Sequence, residues 1–123
     1  MFEQQDYILR LIAITGEALR RALEQFQIGH NAQALKLTEE AIGRSLDTDP
    51  ELVLRLTPEG LTTFLGIGTL ADDRRLELLA EALEMRSSIL RSLDRADEAD
   101  LDERRATAVR LLVTAAPVPP ETM

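Results

Sequence analysis

The sequence contains no cysteine, which removes disulfides, thiol catalysis and cysteine-ligated zinc together. No apolar run approaches the ~18 residues of a membrane-spanning helix, and the start, Met1 to Asp6, is polar and acidic. Neither a membrane anchor nor a signal peptide is therefore expected, and a cytoplasmic location follows as the expectation. Aromatic residues are scarce, at 3%: Phe2, Tyr7, Phe26 and Phe64. A core built from Leu, Ile, Val and Ala suits helix-on-helix packing better than a sheet, where β-branched and aromatic residues are enriched. Positive charge is also short, with a net charge of −8. Such a field repels phosphate backbones and anionic lipid, so neither nucleic acid nor a membrane surface is an expected partner. The arginines interleave with acids, whereas a nucleic-acid regulator would cluster them.

What is present reads as one all-α domain over residues 1–116, followed by a frayed or disordered tail over 117–123 that Pro117, Pro119 and Pro120 set off. The first helix is predicted from Glu3 to Ile28, on the spacing of Ile8, Ile12, Leu19, Leu23 and Phe26. Gly16 interrupts it, and Gly29 ends it, with Asn31 as the next N-cap. The second runs from Ala32 to Leu46, burying Leu35, Ala41, Ile42 and Leu46. Asp49-Pro50-Glu51 and Thr57-Pro58-Glu59 each place a cap, a proline at the first helical position and an acid in the first turn, so two short helices follow. A helix over 70–93 carries two apolar stripes, Leu76/Leu79/Leu83/Leu90 and Leu78/Ala82/Met85/Ile89, and should sit at the centre of the fold. The last helix, 96–115, turns Leu101, Ala108, Val109, Leu111 and Leu112 inward. Acids stand four residues before arginine at Asp6/Arg10, Glu17/Arg21, Glu40/Arg44, Glu51/Arg55 and Asp100/Arg104, the favourable orientation for helical pairs.

Gly29, Ala34 and Ala41 recur as Asp94, Ala99 and Ala106, 65 residues later, which points to an internal repeat. The Gly29…Ala34…Ala41 spacing resembles the second half of a tetratricopeptide repeat. Leu83, Ser87 and Leu90 fit that motif's first helix, whereas Arg21 and Gln25 depart from it and Asp94 replaces its glycine. The opening Asp6-Tyr7-Ile8-Leu9-Arg10-Leu11-Ile12, with Gly29 and the Ala-rich helix after it, is similar to a family of small uncharacterised bacterial proteins of the tetratricopeptide-like (TPR-like) kind. The resemblance implies antiparallel helix pairs in a degenerate tetratricopeptide-like array of five to six helices. It implies no activity.

Chemistry-bearing patterns fail on inspection. Gly66-Ile67-Gly68-Thr69-Leu70-Ala71 matches G-x-G-x-x-A, but Pro58-Glu59 starts a helix where a dinucleotide fold needs a strand. The acidic run Asp94, Asp97, Glu98, Asp100, Asp102 and Glu103 does not count as a calcium loop, since Ala96, Ala99 and Arg105 fall on ligand and glycine positions. It reads as a solvated, acid-rich helix start. His30 reads as an exposed turn residue, and Ser45, Ser87, Ser88 and Ser92 have no neighbouring base. Glu77, Glu81 and Glu84 share a helix face without the Glu-x-x-His that metal-binding bundles add. No catalytic residue, cofactor or metal site is therefore expected, and the chain reads as a non-enzymatic interaction module.

Its expected partner is a protein, a peptide or a second copy of the chain. Repeat register assigns Glu81, Glu84, Ser88 and Arg91 to the concave face of the second pair, and Leu19, Leu23 and Phe26 to either that face or the core of the first. Asp6, Tyr7 and Arg10 form a further candidate contact, with Tyr7 anchoring the helix end to a neighbour or a partner. The alternative is a small-ligand or enzymatic pocket between the last two helices.

Overall fold

A computed structural model describes residues 2–67 and 72–114, and the described residues form six helices and no strand. They are α1 (Phe2–Gln27), α2 (Asn31–Leu46), α3 (Pro50–Leu54), α4 (Pro58–Ile67), α5 (Asp73–Ser92) and α6 (Ala96–Thr114). The tail assigned to 117–123 lies outside the described residues, as do Leu70 and Ala71. Short connections pair α1 with α2 and α5 with α6; α2 then packs on α5, and α4 covers α6. The central position expected for the helix over 70–93 is borne out by α5, which touches α1, α2 and α6. Leu76, Leu78, Leu79, Ala82, Leu83, Ile89 and Leu90 are all buried, as a helix apolar on two faces requires.

Local chemistry explains the boundaries. The Asp49 carboxylate accepts from Glu51 N–H at 3.0 Å, and the Thr57 hydroxyl accepts from Gly60 N–H at 2.9 Å, so both expected caps form. Two starts are corrected. α5 begins at Asp73 and not at 70, because the Asp72 carboxylate captures Arg75 N–H at 2.9 Å. His30, not Asn31, precedes α2, and no side chain caps that helix. The His30 ring instead bonds the Gln25 side chain at 2.9 Å.

The two hairpin turns share one backbone. Gly29 has φ 85° and Asp94 φ 61°, both in the left-handed region. Gly29 N–H reaches Phe26 C=O and His30 N–H reaches Gln25 C=O; Asp94 N–H reaches Arg91 C=O and Arg95 N–H reaches Leu90 C=O. Asp94 thus takes the conformation for which glycine is the default, an exchange that Asn and Asp tolerate best. Ala34, Ala41, Ala99 and Ala106 are all buried, so the 65-residue spacing relates equivalent close-packed positions. α2 ends in the same way, with Asp47 at φ 53° and Thr48 N–H bonded to Gly43 C=O. That return brings Thr48 O to 2.7 Å and Pro50 Cδ to 2.9 Å from where a Cβ on Gly43 would stand, so only glycine fits there.

Candidate functional site

The residues singled out by sequence fall into two separate groups. Tyr7, on the first turns of α1, donates its hydroxyl to the Asp47 carboxylate at the end of α2. That bond to an anion, helped by desolvation, holds the phenol above its ordinary pKa. Asp6 and Arg10 are exposed beside it, and the ion pair expected between them does not form. Glu84, Ser88 and Arg91 do come together, lining an open groove of about 340 Å³ between α5 and α6 with Ser87, Glu103 and Thr107. Glu81 is exposed on the same face of α5.

The polar groups of that groove are already committed. Arg110 Nε and Nη2 hold both oxygens of Glu84 at 2.6 and 2.7 Å, which pulls the Glu84 carboxyl below its usual range. Arg91 Nη2 bridges Asp100 and Glu103 at 2.6 Å each. The Ser88 hydroxyl donates to Glu84 C=O, and Ser87 to Ala99 C=O at 2.9 Å. Each of these three carboxylates is paired with an arginine across the α5–α6 contact. Of the five oriented acid–arginine pairs read from sequence, only Glu51–Arg55 appears, at 3.4 Å. Arg20 takes Glu17 and Glu24, and Arg91 takes Asp100, because contacts between helices and alternative spacings outcompete weak intrahelical ones.

One expectation is overturned. Asp102, read as part of a solvated acidic run, is fully buried. Its Oδ2 accepts from Arg86 Nη1 at 2.6 Å and its Oδ1 from Arg105 Nη1 at 2.7 Å. Arg86 also reaches Glu39 Oε2 at 3.3 Å, while Arg105 donates to Leu56 C=O at 2.8 Å and Leu54 C=O at 2.6 Å. Two cations and two anions balance, and each guanidinium nitrogen has a hydrogen-bond acceptor. Burial inverts the sequence expectation because a carboxylate flanked by two guanidinia can leave water without standing unpaired. Leu111, expected to face inward, is instead exposed.

Exposed leucines occur singly at Leu52, Leu93 and Leu111, but on α1 they join a helical row. Leu9, Ile12, Gly16, Leu19, Leu23 and Phe26 recur at steps of three and four, which puts them on one stripe. Leu19 is core and Ile12 and Phe26 are half-buried, but Leu9 is 57% and Leu23 43% exposed. Nothing lies within 4 Å of a Cβ placed on Gly16. The choice between core and surface for Leu19, Leu23 and Phe26 therefore divides along the stripe. The 65-residue register sets Arg74, Glu77, Glu81, Glu84, Ser88 and Arg91 of α5 at the equivalent positions. One stripe is greasy and the other is charged.

Among the described residues no group of three or more His, Asp or Glu could hold a metal ion, and no helix is long and apolar enough to cross a membrane. The first residues of the glycine motif, Gly66 and Ile67, end α4, and 68–71 lie outside the described residues. Comparison with family models, with curated proteins and with solved structures finds no match.

Proposed function

We propose that this chain is a non-enzymatic protein–protein interaction module of the cytoplasm, built on two tetratricopeptide-like helix pairs, whose recognition surface is the apolar stripe of α1. The observation that carries the reading is the exposure of Leu9 and Leu23 on either side of an open Gly16. Exposed single leucines are ordinary, but a helical row of them takes an amphipathic partner helix through anchors at such spacings. The shared turn geometry and the buried Ala34, Ala41, Ala99 and Ala106 support the repeat architecture. The arginine-paired carboxylates between α5 and α6 favour binding over catalysis.

A photo-crosslinking amino acid at position 23, introduced in the source cell, tests the reading against the same group at position 107 on α6. Crosslinked protein at 23 and not at 107 is the expected result. Equal capture at both positions, or none at 23, overturns it.

A further inference from the structure

We infer that the outer groove between α1 and α2 seats an amphipathic helix of a partner protein, antiparallel to α1 and with a carboxylate set on Arg21. This is a second surface, separate from the stripe. Ala13, Ile14, Glu17, Ala18 and Arg21 line it together with Glu40 of α2, and helical periodicity puts them on the side of α1 away from Leu9 and Leu23.

The second hairpin shows how such a helix is held. α2 packs on α5, where Arg86 donates to the Glu39 carboxylate at 3.3 Å and Arg75 to Ser45 C=O at 2.8 Å, near the end of α2. The two contacts run in opposite chain order, so α2 lies antiparallel to α5. Two arginines thus grip a carboxylate and a C-terminal carbonyl, which complement them in charge and in helix dipole. The 65-residue register places Arg10 and Arg21 at the positions of Arg75 and Arg86. Both are exposed, and their side chains make no hydrogen bond or ion pair. The groove beside them is open, at about 250 Å³. Its equivalents on the second hairpin are Leu78, Leu79, Ala82, Leu83, Arg86 and Arg105, all of them buried. The first hairpin therefore keeps open the seat that the second has filled.

Charge names the occupant. On a chain of net charge −8, Lys36 and Arg44 join Arg10 and Arg21 along this face, also exposed and with unpaired side chains. Lys36, Glu40 and Arg44 follow at steps of four on α2, and Arg44 lines the adjoining hollow with Glu40. The acids nearby are mostly engaged: Arg20 holds Glu17, and Asp47 accepts from Tyr7, which leaves Glu40 as the free carboxylate of the groove. Asp6 stands beyond Tyr7, which already marks the end of α2. A helix acidic on its docking face fits, with a carboxylate for Arg21, C-terminal carbonyls for Arg10 and small apolar side chains over Ala13 and Ile14. A second copy does not fit. Its α6, the counterpart of α2, carries Arg104 where α2 carries Glu39, and Arg104 would meet Arg21. A phosphate backbone would leave Ala13 and Ile14 uncovered and meet the negative field of the remaining surface.

The probe is a synthetic peptide with the sequence of α2, Asn31–Leu46, held helical by a hydrocarbon staple replacing the exposed Lys36 and Glu40. Added to the isotope-labelled full chain and followed by NMR, it should shift amides of 10–21 and 36–47. Arg21→Glu in the chain should weaken binding at least about tenfold, and a peptide carrying Glu39→Arg should regain it on that variant. The variant should keep its melting temperature, because the Arg21 side chain is exposed and unpaired. No shifts at millimolar peptide overturn the inference, as does equal binding by Arg21→Glu. Shifts gathered on α5 overturn it too, since the peptide would then be displacing α2. A single-stranded oligonucleotide that moves the same amides more strongly than the peptide replaces the helix with a phosphate ligand. None of these outcomes touches the stripe, which the crosslink at position 23 tests separately.

Discussion

The two hairpins use the same turn and the same buried alanines, yet they distribute polarity in opposite ways. The first hairpin buries Leu37 where the second buries Asp102, and exposes Leu9 and Leu23 where the second exposes Arg74 and Ser88. Arg86 and Arg105 enter the interior at positions where the first hairpin keeps Arg21 and Glu40 in water. A helix pair evidently tolerates either an apolar core with a greasy face or an ion-paired core with a salted face. The second arrangement pins a connector, since Arg105 holds two carbonyls at the end of α3. The first leaves surface for something else to cover.

Exchanging residues between the hairpins tests this division. The largest effect is expected at Asp102→Leu, which imports the residue of the first hairpin and removes the buried carboxylate that Arg86 and Arg105 share. Breaking a buried pair in this way costs about 3–5 kcal/mol, and denaturant unfolding should show it as a lowered midpoint with the slope retained. A loss under about 1 kcal/mol would mean that the cluster is open to water. Next comes Gly43→Ala, which imports Ala108. Its Cβ would press on Thr48 O and Pro50 Cδ, neither of which can swing away. Overpacking outweighs the helix-propensity gain, for a net loss of about 1–2 kcal/mol readable as a drop in melting temperature.

The smallest effect belongs to the exposed salt of the second hairpin. Glu84 is held below its ordinary pKa, first by the Arg110 hydrogen bond and then by the charge of Arg110. A depressed folded-state pKa adds stability above the unfolded value, which is lost as pH falls through the folded one. Arg110→Gln should return the Glu84 titration, followed by carboxyl NMR, to the normal range and flatten stability between those two values. An unmoved Glu84 titration would assign the depression to another group.

Much of the fold was legible because it depends on short-range chemistry. Asp49-Pro50 and Thr57-Pro58 announce α3 and α4 through caps that need only three residues, and the stripes of α5 announce burial on both faces. Asp102 was not legible, because i,i+3 pairing with Arg105 looks the same on a solvated helix as inside a core. The one available signal was its alignment with Leu37 in the repeat, which marks a position that must be buried whatever occupies it. The α1 surface was half legible. Spacing identifies the stripe, but only packing against α2 and α5 decides that Leu19 goes inward while Leu9 and Leu23 stay out.

The reach of Arg105 to Leu54 and Leu56 also has a cooperative consequence. α3 is a single turn and a half, too short to persist by itself. Releasing it would strand a buried guanidinium and expose Asp102, so the α3 segment cannot open without disturbing α5 and α6. Because α3 also packs on α2, α2 on α5, and Glu39 of α2 shares the Arg86 cluster, opening of the connector should be felt in both hairpins at once.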